Sequence, residues 1–507
     1  MRNNEVIVIG SGLGGLATAA ILGMNGYKVR VYEKNRQIGG CLQTYSREKV
    51  IFDSGVHYIG GLAPGENLYK VFKYLGIQDK LKLRRMDLEG FDHIAFADDP
   101  AVYKIAQGEQ RFINTLLQSF PDERPALEAY IQQIGDICSK FPLYNLRLGD
   151  YEEKRSVLHY NTADFLRSIT SNQRLQQVLA GNNLLYAGVA EKTPLYVHAL
   201  VLNSYMNSSW KCVDGGGQIA KWLGRRITES GGEIIRNTAV TAIVGEGDRV
   251  DHLVLQNGEK VKADHFISNL HPAQTTAITH SDMLRGAYRT RMQSLENSVG
   301  AFVLNVVLKP GSFPYLNYNY YYHTTEDAWA GINYQTDAWP QTYAMYVGAS
   351  SQHPEYADSL SVMTYMRYEE MAPWKDTFNT VLQPGARGEE YEQFKKAKAE
   401  QLIACVEKRF PDFRQAVQSY YVATPLSYRD YMGTSDGSMY GVMKDSGDPL
   451  RTMVSARTKL SNLYLTGQNL NLHGILGVTM SSVITASELV GMESLVTAIN
   501  NVSVFDI

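Results

Sequence analysis

The sequence is poor in cysteine and lacks long apolar runs. Its 507 residues include four scattered cysteines, with no C-x-x-C pair and no spacing typical of a metal site: Cys41, Cys138, Cys212 and Cys405. This usage predicts reduced thiols in a cytoplasmic protein that binds no metal. No stretch reaches ~20 uninterrupted apolar residues, so we expect no segment that spans a membrane.

The sequence also lacks a large net charge of either sign. The formal net charge is -3 and no run of basic residues stands out, which gives no electrostatic basis for nucleic-acid binding. The first apolar strand pattern begins at Val6, so we expect no secretory signal peptide before it. The chain is long enough to bury a large core, and we expect two structural domains.

The N-terminal part of the chain contains a glycine-rich turn between an apolar strand and a helix. Residues 6–9 have the pattern of a buried parallel strand, and a helical pattern begins at Leu16. The turn has the G-x-G-x-x-G spacing, and its expected dinucleotide contacts are Gly10, Gly12, Leu13, Gly14 and Gly15. Glycines at this spacing form the turn, let the backbone approach a pyrophosphate and pack the helix on the strand. The phosphates would lie at the positive N-terminus of the helix.

An acidic residue follows at the distance expected for a dinucleotide site. Residues 29–32 have the pattern of a second strand, and Glu33 comes directly after it, eighteen residues beyond Gly15. A carboxylate at this place suits a pair of ribose hydroxyls and repels a 2′-phosphate. The alternative is a tight turn and a surface glutamate without a ligand.

A second glycine pair follows this acid. The further contacts expected from this run are Glu33, Lys34, Arg36, Gly39 and Gly40. The run resembles the extended fingerprint of the large flavoprotein family that includes amine oxidases and carotenoid desaturases. In that family the second pair lets the chain pass close to the bound dinucleotide. Many members have arginine directly after the pair, where this chain has Cys41. The resemblance implies non-covalently bound FAD.

The remaining patterns predict an α/β fold, with a doubly wound, Rossmann-like FAD-binding domain and an inserted α+β substrate domain. The expected parts are 1–70, 206–275 and 456–507 for the FAD-binding domain, and 71–205 (helical) and 276–455 (rich in strands and tyrosines) for the substrate domain. The glycines at 215–217 lack the preceding strand and the later acid of a second fingerprint. We therefore expect no separate NAD(P)H site, and an external electron donor or acceptor.

Two apolar features lie inside the expected substrate domain. The segment 194–206 is apolar nearly all round, which is typical of a buried core helix; a tunnel lining or a membrane-surface helix is the alternative. Tyrosines between 315 and 346 alternate as in strands. They predict either a half-buried sheet whose hydroxyls contact water or the aromatic wall of a large apolar pocket.

The C-terminal part repeats the pattern of a strand, a glycine-rich turn and a helix. The strand is expected over 462–465 and the helix over 481–490, with glycines 474 and 477 between them. Backbone amides at such a helix start would stabilise the N1–C2=O edge of a reduced, anionic flavin; the alternative is a loop that only caps the helix. The late cofactor contacts expected are Val240, Gly467, Gln468, Asn469, Gly474, Ile475, Gly477 and Val478.

Several blocks together resemble the retinol saturase branch of the phytoene desaturase-like flavoproteins, close to the carotenoid isomerases. These blocks are 52–60, 197–200 with 205–206, 214–217, 424–427 with 437–441, and 466–468. Relatives tend to have an acid after Thr-Gly-Gln, where this chain has Asn469. The resemblance implies an FAD-dependent oxidoreductase that acts on a C=C bond of an apolar conjugated polyene, a retinoid or a carotenoid.

Reduction is the favoured direction, because the blocks 55–60 and 466–468 look more like retinol saturase than phytoene desaturase. Desaturation or cis–trans isomerisation of a carotenoid is the alternative, and a flavin-binding protein without turnover is an alternative of another class. Reduction needs a hydride at one carbon and a proton at the other. His57, with a neutral-range pKa, and Tyr58 are the expected proton donors, and His473 is a weaker candidate; the alternative for His57 is a hydrogen-bonded structural residue. A lipophilic substrate also predicts peripheral contact with a membrane.

Overall fold

The computed structural model describes residues 4–502 of the protein. Its strands are β1 (Glu5–Ile9), β2 (Lys28–Tyr32), β3 (Thr44–Arg47), β4 (Val50–Asp53), β5 (Ile59–Gly60), β6 (Leu83–Arg85), β7 (Asp92–Phe96), β8 (Val102–Ile105), β9 (Ser209–Cys212), β10 (Glu233–Ile235), β11 (Val240–Glu246), β12 (Arg249–Leu255), β13 (Lys260–Val261), β14 (His265–Ser268), β15 (Thr279–His280), β16 (Gly300–Leu308), β17 (Asn319–His323), β18 (Thr342–Val347), β19 (Ser359–Met366), β20 (Val417–Ala423) and β21 (Leu463–Leu465).

The α-helices are α1 (Leu13–Met24), α2 (Asn67–Tyr74), α3 (Glu109–Leu117), α4 (Arg124–Ser139), α5 (Tyr151–Arg155), α6 (Thr162–Ile169), α7 (Gln173–Ala180), α8 (Leu195–Asn207), α9 (Gly217–Glu229), α10 (Pro272–Ile278), α11 (Gly286–Gln293), α12 (Glu389–Glu407), α13 (Phe413–Ala416), α14 (Pro425–Met432), α15 (Pro449–Thr452), α16 (Gly474–Val490) and α17 (Met492–Asn500). Among residues 4–502, no helix is both long and apolar enough to cross a membrane.

A five-stranded parallel sheet is built around β1. Its order is β10-β2-β1-β14-β21, and every neighbouring pair is parallel. The strands come from distant parts of the chain, and each of them lies within one of the parts expected for the FAD-binding domain. The α/β class is confirmed. The domain boundaries stay a prediction, and their outer ends at residues 1–3 and 503–507 lie outside the described residues.

Both faces of this sheet are covered, which explains the unbroken apolar run in β1. Val6 and Val8 pack in a core with residues of α1, α9 and α16. Ile7 and Ile9 point the other way, into a core shared with the small sheet β13-β12-β11-β15. The layers are therefore helices, the parallel sheet and a mainly antiparallel sheet. Residues that directly follow the carboxyl ends of β1, β2 and β14 line one cavity.

A seven-stranded sheet with the order β20-β16-β19-β18-β17-β7-β8 forms the second large layer. The prediction that 71–205 is helical is wrong for its first part, because that part contains β7 and β8 of this sheet and also β6. The prediction holds from α3 onwards. β7 pairs in parallel with β17, and this pairing joins Asp92 to Asn319. Such a pairing depends on residues far apart in the chain, so local periodicity could not indicate it.

The tyrosine-rich strands are buried on both faces, so the half-buried sheet predicted as one alternative is wrong. Tyr320, Tyr322 and Tyr343 pack in the core beneath α12, whereas Tyr321 and Tyr346 face the opposite core. That second core also contains α8, whose residues are buried along most of its length. The segment 194–206 is thus a buried core helix, and it offers no surface to a membrane.

Gly15 provides a test of the packing between α1 and β1. A Cβ atom at this position would lie 2.0 Å from the carbonyl oxygen of Gly10, which is backbone and cannot turn aside. We expect Gly15→Ala to lower the free energy of unfolding by about 1–3 kcal/mol, the usual cost of overpacking. Gly135, in the exposed middle of α4, has no atom within 4 Å of a built Cβ and serves as the control.

Gly135→Ala should stabilise by roughly 0.5–1 kcal/mol because alanine is the better helix former. Chemical denaturation of the two variants beside the wild type measures both effects. Equal stability of Gly15→Ala and wild type would contradict the close packing described.

Candidate active site

Three glycine segments from distant parts of the chain meet at the carboxyl end of β1. The amide of Gly39 donates to the carbonyl oxygen of Ser11 at 2.9 Å. A Cβ atom on Gly40 would lie 3.1 Å from the Cα of Gly12, and one on Gly14 would lie 2.7 Å from the Cα of Gly467. Larger residues would fill these gaps. The result is a narrow cradle walled by backbone.

A cavity of about 360 Å³ extends from this cradle. The expected cofactor contacts that line it are Gly10, Gly12, Leu13, Gly14, Glu33, Lys34, Gly39, Gly40, Val240, Gly467, Gln468, Asn469, Gly474, Ile475 and Val478. His57, Tyr58 and His473 line the same cavity. The structure therefore brings most of the expected site together.

Three of the expected cofactor contacts lie away from the cavity lining. Gly15 packs against the Gly10 carbonyl, and Gly477 packs in the same way against the carbonyl of Leu472. Arg36 is exposed to solvent. Their expected contact with the cofactor has no support in the structure, although the two glycines are needed for the packing around the cradle.

Glu33 is buried at the cavity wall with a fixed carboxylate. It accepts hydrogen bonds from the Ser11 amide (2.9 Å), the Ser11 hydroxyl (2.6 Å) and the Asn35 amide (2.8 Å). A carboxylate has about four lone-pair sites. One site remains for a donor inside the cavity, such as a ribose hydroxyl. The neighbouring Lys34 donates to the carbonyl of Asp430 at 3.0 Å instead.

The first turn of α16 faces the cavity. The helix begins at Gly474, seven residues earlier than the sequence pattern predicts, and Gly474 has a left-handed φ of +75° that favours glycine. Gly474, Ile475 and Val478 line the cavity. Because the amides at a helix N-terminus carry partial positive charge, this end stabilises negative charge placed near it.

Residues 13–308 match the model of the family described as flavin containing amine oxidoreductase, which is more than half of the chain. The chain belongs to this family. It is a flavin-dependent oxidoreductase, and its cofactor is FAD. The residues present fit that group, because the glycines of the cradle line the cavity without side chains and Glu33 keeps a free acceptor site.

Relatives of this flavin-containing oxidoreductase are similar over nearly the whole chain. An all-trans-retinol 13,14-reductase of Danio rerio is 25% identical, over 93% of this chain and 84% of its own. A chloroplastic prolycopene isomerase of Daucus carota is 24% identical, over 96% of this chain and 80% of its own. A solved putrescine oxidase with redesigned cofactor binding has a TM-score of 0.64 at 13% identity, covering 97% of this chain and 99% of the oxidase. The last likeness shows the fold alone.

Beyond the cradle, aromatic and sulfur-containing side chains line the cavity of this oxidoreductase: Tyr205, Tyr346, Met363, Tyr428, Met432, Met439 and Tyr440. His57 stacks flat on Tyr346, with ring centroids 4.3 Å apart and an interplanar angle of 3°. Burial lowers the pKa of His57 to about 4, and the positive charge of Lys211 acts in the same direction. The expectation of a neutral-range pKa is therefore wrong, because the imidazole is uncharged at neutral pH.

His473 is also held in a neutral state. Burial lowers its pKa to about 4, and its Nε2 donates to the carbonyl oxygen of Leu185 at 2.8 Å. Its ring lies 4.4 Å from that of Tyr440. The one proton of the neutral ring is thus engaged in a structural hydrogen bond. Since a backbone carbonyl cannot return a proton to the ring, this arrangement weakens the case for His473 as a proton donor.

Tyr58 has a buried hydroxyl in a hydrogen-bonded cluster. It donates to the Oδ2 of Asp92 (3.1 Å) and lies 2.8 Å from the hydroxyl of Tyr321. Burial, reinforced by the nearby Asp92 carboxylate, raises the pKa of Tyr58 well above its ordinary value. Its hydroxyl therefore keeps its proton at neutral pH, as a proton donor must.

Asn469, at the place where relatives tend to have an acid, supports a neighbouring loop. Its Oδ1 accepts a hydrogen bond from the amide of Val442 at 3.0 Å, and Gly441 passes closely beside it. Its own carbonyl oxygen accepts from the buried Lys444 at 3.2 Å. The amide thus fixes one cavity wall without adding a charge.

Sequence reasoning did not single out several lining residues, among them Asn35, Asn269, Gln274, Tyr428, Tyr431, Met432 and Ser438. Asn269 is the central one. Its side chain lies against Gly12, Gly14 and Gly467, between two parts of the cradle. The sequence could have indicated Asn269, because this residue directly follows β14 and ligand contacts usually lie at the carboxyl ends of parallel strands. Tyr428, Tyr431 and Met432 belong to α14 and carry no such signal.

The role of Glu33 in FAD binding can be tested by comparison with a similar glutamate outside the cavity. Glu33→Gln keeps the shape and removes the charge, and we expect FAD to bind about 10- to 100-fold more weakly, because hydrogen bonds to charged groups contribute about 1.5–3 kcal/mol. Glu66 accepts from the Ala63 amide and the Ser208 hydroxyl but does not line the cavity. Glu66→Gln should therefore bind FAD as the wild type does. Titration of the apoproteins with FAD, followed by flavin fluorescence, measures both; equal affinities would contradict the role of Glu33.

Proposed function

We propose that this flavoprotein reduces a conjugated C=C bond of an apolar polyene of the retinoid or carotenoid class. One observation carries the proposal. Among the described residues that line the cavity, Glu33 is the only acidic side chain and Lys34 the only lysine or arginine, and burial lowers the pKa of the lining histidines His57, His271 and His473. The rest of the lining combines neutral polar groups, such as Asn269 and Gln274, with aromatic and sulfur-containing side chains, and this second part suits a long uncharged substrate.

The similarity of the chain to a retinol reductase and a prolycopene isomerase supports the same substrate class. Both of those proteins act on conjugated polyenes, and both are similar over nearly the whole length of this chain. Fold alone would not carry this step, since one fold hosts many reactions. The polyene class is thus supported by relatives and by the lining of the cavity together.

The chemistry assigns different tasks to the side chains. A reduced FAD held by the cradle glycines and Glu33 would supply the hydride for one carbon of the double bond. The other carbon needs a proton from a group in a cavity closed to bulk water. Tyr58 is the donor we propose, because its hydroxyl is protonated and belongs to a continuous hydrogen-bonded cluster. His57, stacked on Tyr346, orients the polyene by contact with flat aromatic surface.

Two other functions would use the same cavity. Desaturation is the reverse reaction, and cis–trans isomerisation involves no net oxidation; the isomerase relative favours the latter as the second candidate. A flavin-binding protein without turnover would react with none of the polyenes. Anaerobic mixing of oxidised and of reduced enzyme with retinoids and carotenoids separates these cases.

We expect reduced enzyme to be reoxidised by a polyene, with saturation of one double bond in the product, and oxidised enzyme to remain unchanged. Flavin absorbance in a stopped-flow instrument and mass spectrometry of the product measure this. Reduction of oxidised enzyme by a polyene would establish desaturation, and a changed double-bond geometry at constant mass would establish isomerisation. No reaction in either state would overturn the proposal.

Tyr58→Phe tests the proton donor. We expect the reoxidation by polyene to slow by about 10²–10⁴-fold, the usual contribution of a general acid. Tyr186→Phe is the matched control, because Tyr186 is equally buried but its hydroxyl contacts His198. His57→Ala should weaken substrate binding and leave the pH dependence unchanged, since the ring is already neutral. FAD content of each variant confirms an intact cofactor site, and an unaltered rate in Tyr58→Phe would exclude this residue as the donor.

We also propose peripheral contact with a membrane, from which a lipophilic substrate would be drawn. Since α8 is buried, the support lies in an exposed apolar loop that includes Phe378, Val381 and Leu382, whose exposed fractions are 44%, 69% and 46%. The amide of Val381 donates to the hydroxyl of Tyr431, which lines the cavity. The loop is therefore fastened to the cavity wall.

Flotation with liposomes tests this contact. Replacement of the three loop residues by serine should reduce the floated fraction, because less apolar surface is buried in the lipid. The exposed Leu148 and Leu450, each replaced by serine, provide the control for a general loss of apolar surface. Wild-type protein that fails to float, or a loop variant that floats equally well, would count against the contact.

A further inference from the structure

A buried carboxyl lies directly behind the proposed proton donor. Asp92, the first residue of β7, has an exposed fraction of 0% and does not line the cavity. Its Oδ2 accepts from the Tyr58 hydroxyl at 3.1 Å, and its Oδ1 accepts from the amide of Asn319 at 2.9 Å. The amide of Asn182 lies 3.4 Å from Oδ2. Both carboxyl oxygens are thus occupied by neutral donors.

The contact with Tyr58 belongs to a longer line of oxygen atoms. The hydroxyls of Tyr58 and Tyr321 are 2.8 Å apart, and those of Tyr321 and Tyr346 are 3.5 Å apart. All three tyrosines are buried, and Tyr58 and Tyr346 line the cavity. The line therefore joins a carboxyl in the protein core to the wall of the reaction cavity.

The surroundings of Asp92 keep its proton available near neutral pH. Among the ion pairs of residues 4–502, none involves Asp92. Burial raises the pKa of Asp92 to about 7, against the hydrogen bonds that it accepts and the charge of Lys211 on β9. Burial also lowers the pKa of Lys211 to about 7. The other titratable groups that interact with Asp92 are tyrosines, which stay neutral in this range: Tyr58, Tyr205, Tyr321 and Tyr346.

We propose that Asp92 is the proton reservoir of the reaction and acts through Tyr58. This inference rests on the proposed reduction of a polyene. The O–H bond of Tyr58 breaks, and a C–H bond forms at one substrate carbon with the electron pair of the double bond. The other carbon takes the hydride from the reduced flavin. The O–H bond of Asp92 then breaks, and its proton restores the Tyr58 hydroxyl.

The structure also accounts for the two states that this role requires. As a carboxylate, Asp92 accepts from Tyr58, Asn319 and Asn182. As a protonated acid, it would reverse the first of these bonds and donate from Oδ2 to the Tyr58 oxygen 3.1 Å away. The carboxylate formed in the reaction is therefore held by donors already in place. It regains a proton from water after the product leaves. A purely structural acceptor could be replaced by a neutral amide without loss of function, and this difference can be tested.

The first test needs neither substrate nor cofactor. Infrared difference spectra of the apoprotein, recorded from about pH 5 to about pH 9, report the carbonyl stretch of a protonated carboxyl as it ionises. We expect a band that titrates near the pKa of Asp92, disappears in Asp92→Asn and shifts in Tyr58→Phe, where a hydrogen bond to the carboxyl is lost. Asp53→Asn is the control. Asp53 is another carboxyl whose pKa burial raises to about 7, but its hydrogen bond comes from the Gly216 amide and not from a tyrosine hydroxyl.

The second test uses the FAD-loaded enzyme. Reoxidation by polyene in the wild type should slow as the pH rises through the pKa of Asp92, because fewer molecules then hold the reserve proton. Asp92→Asn should be roughly tenfold slower or more and lose this pH dependence, while Asp53→Asn keeps the wild-type profile. Asp92→Asn with the wild-type rate and profile, or a wild-type apoprotein without the Asp92 band, would overturn the inference. A wild-type enzyme that reacts with no polyene would instead overturn the proposed function, and the infrared titration would still report on Asp92.

Discussion

The close approach of backbone to backbone at the end of β1 is the constraint on which the site depends. A Cβ atom on Gly14 would overlap the backbone of Gly467, and one on Gly40 would lie unusually close to the backbone of Gly12. The contact of Gly14 with Gly467 exists only because β21 pairs beside β14 in the parallel sheet. The cofactor cradle is therefore complete only when the last part of the chain has joined the first.

Burial determines the chemistry of the cavity that extends from this cradle. A low-dielectric surrounding disfavours charge, so it lowers the pKa of histidines and raises that of acids and tyrosines. His57 and His473 become neutral, Tyr58 keeps its proton, and Asp92 titrates near pH 7. An apolar polyene fits such a site because it brings no charge that would need solvation. The same burial leaves protonated oxygens, rather than imidazolium ions, as the source of protons.

Two positions show how this chain differs from the flavoprotein pattern that it otherwise resembles. Cys41 stands where many members have arginine, and Asn469 stands where relatives tend to have an acid; both line the cavity. Cys41 lies 3.6 Å from the sulfur of Met432, and Asn469 holds the amide of Val442. Cys41 thus replaces a positively charged side chain, and Asn469 replaces a negatively charged one. Both replacements reduce the number of charged side chains that line the cavity.

The sequence by itself determined the cofactor and the element that binds it. The spacing of Gly10, Gly12 and Gly15 and the position of Glu33 describe a local strand, turn and helix, whose geometry depends on residues close together in the chain. Short-range patterns of this kind also predicted β21, but they placed the start of α16 too late.

Only the tertiary structure decided which groups face each other across the cavity. Asp92 and Asn319 are 227 residues apart, and their contact follows from the pairing of β7 with β17. Tyr58 and Tyr321 are 263 residues apart, and their contact follows from packing of the N-terminal part of the chain against the same sheet. The neutral state of His57 follows from burial by the same sheet, and a sequence carries no direct sign of burial at a single histidine. For that reason the cofactor could be predicted from the sequence, whereas the protonation states and the hydrogen-bonded line from Asp92 required the folded chain.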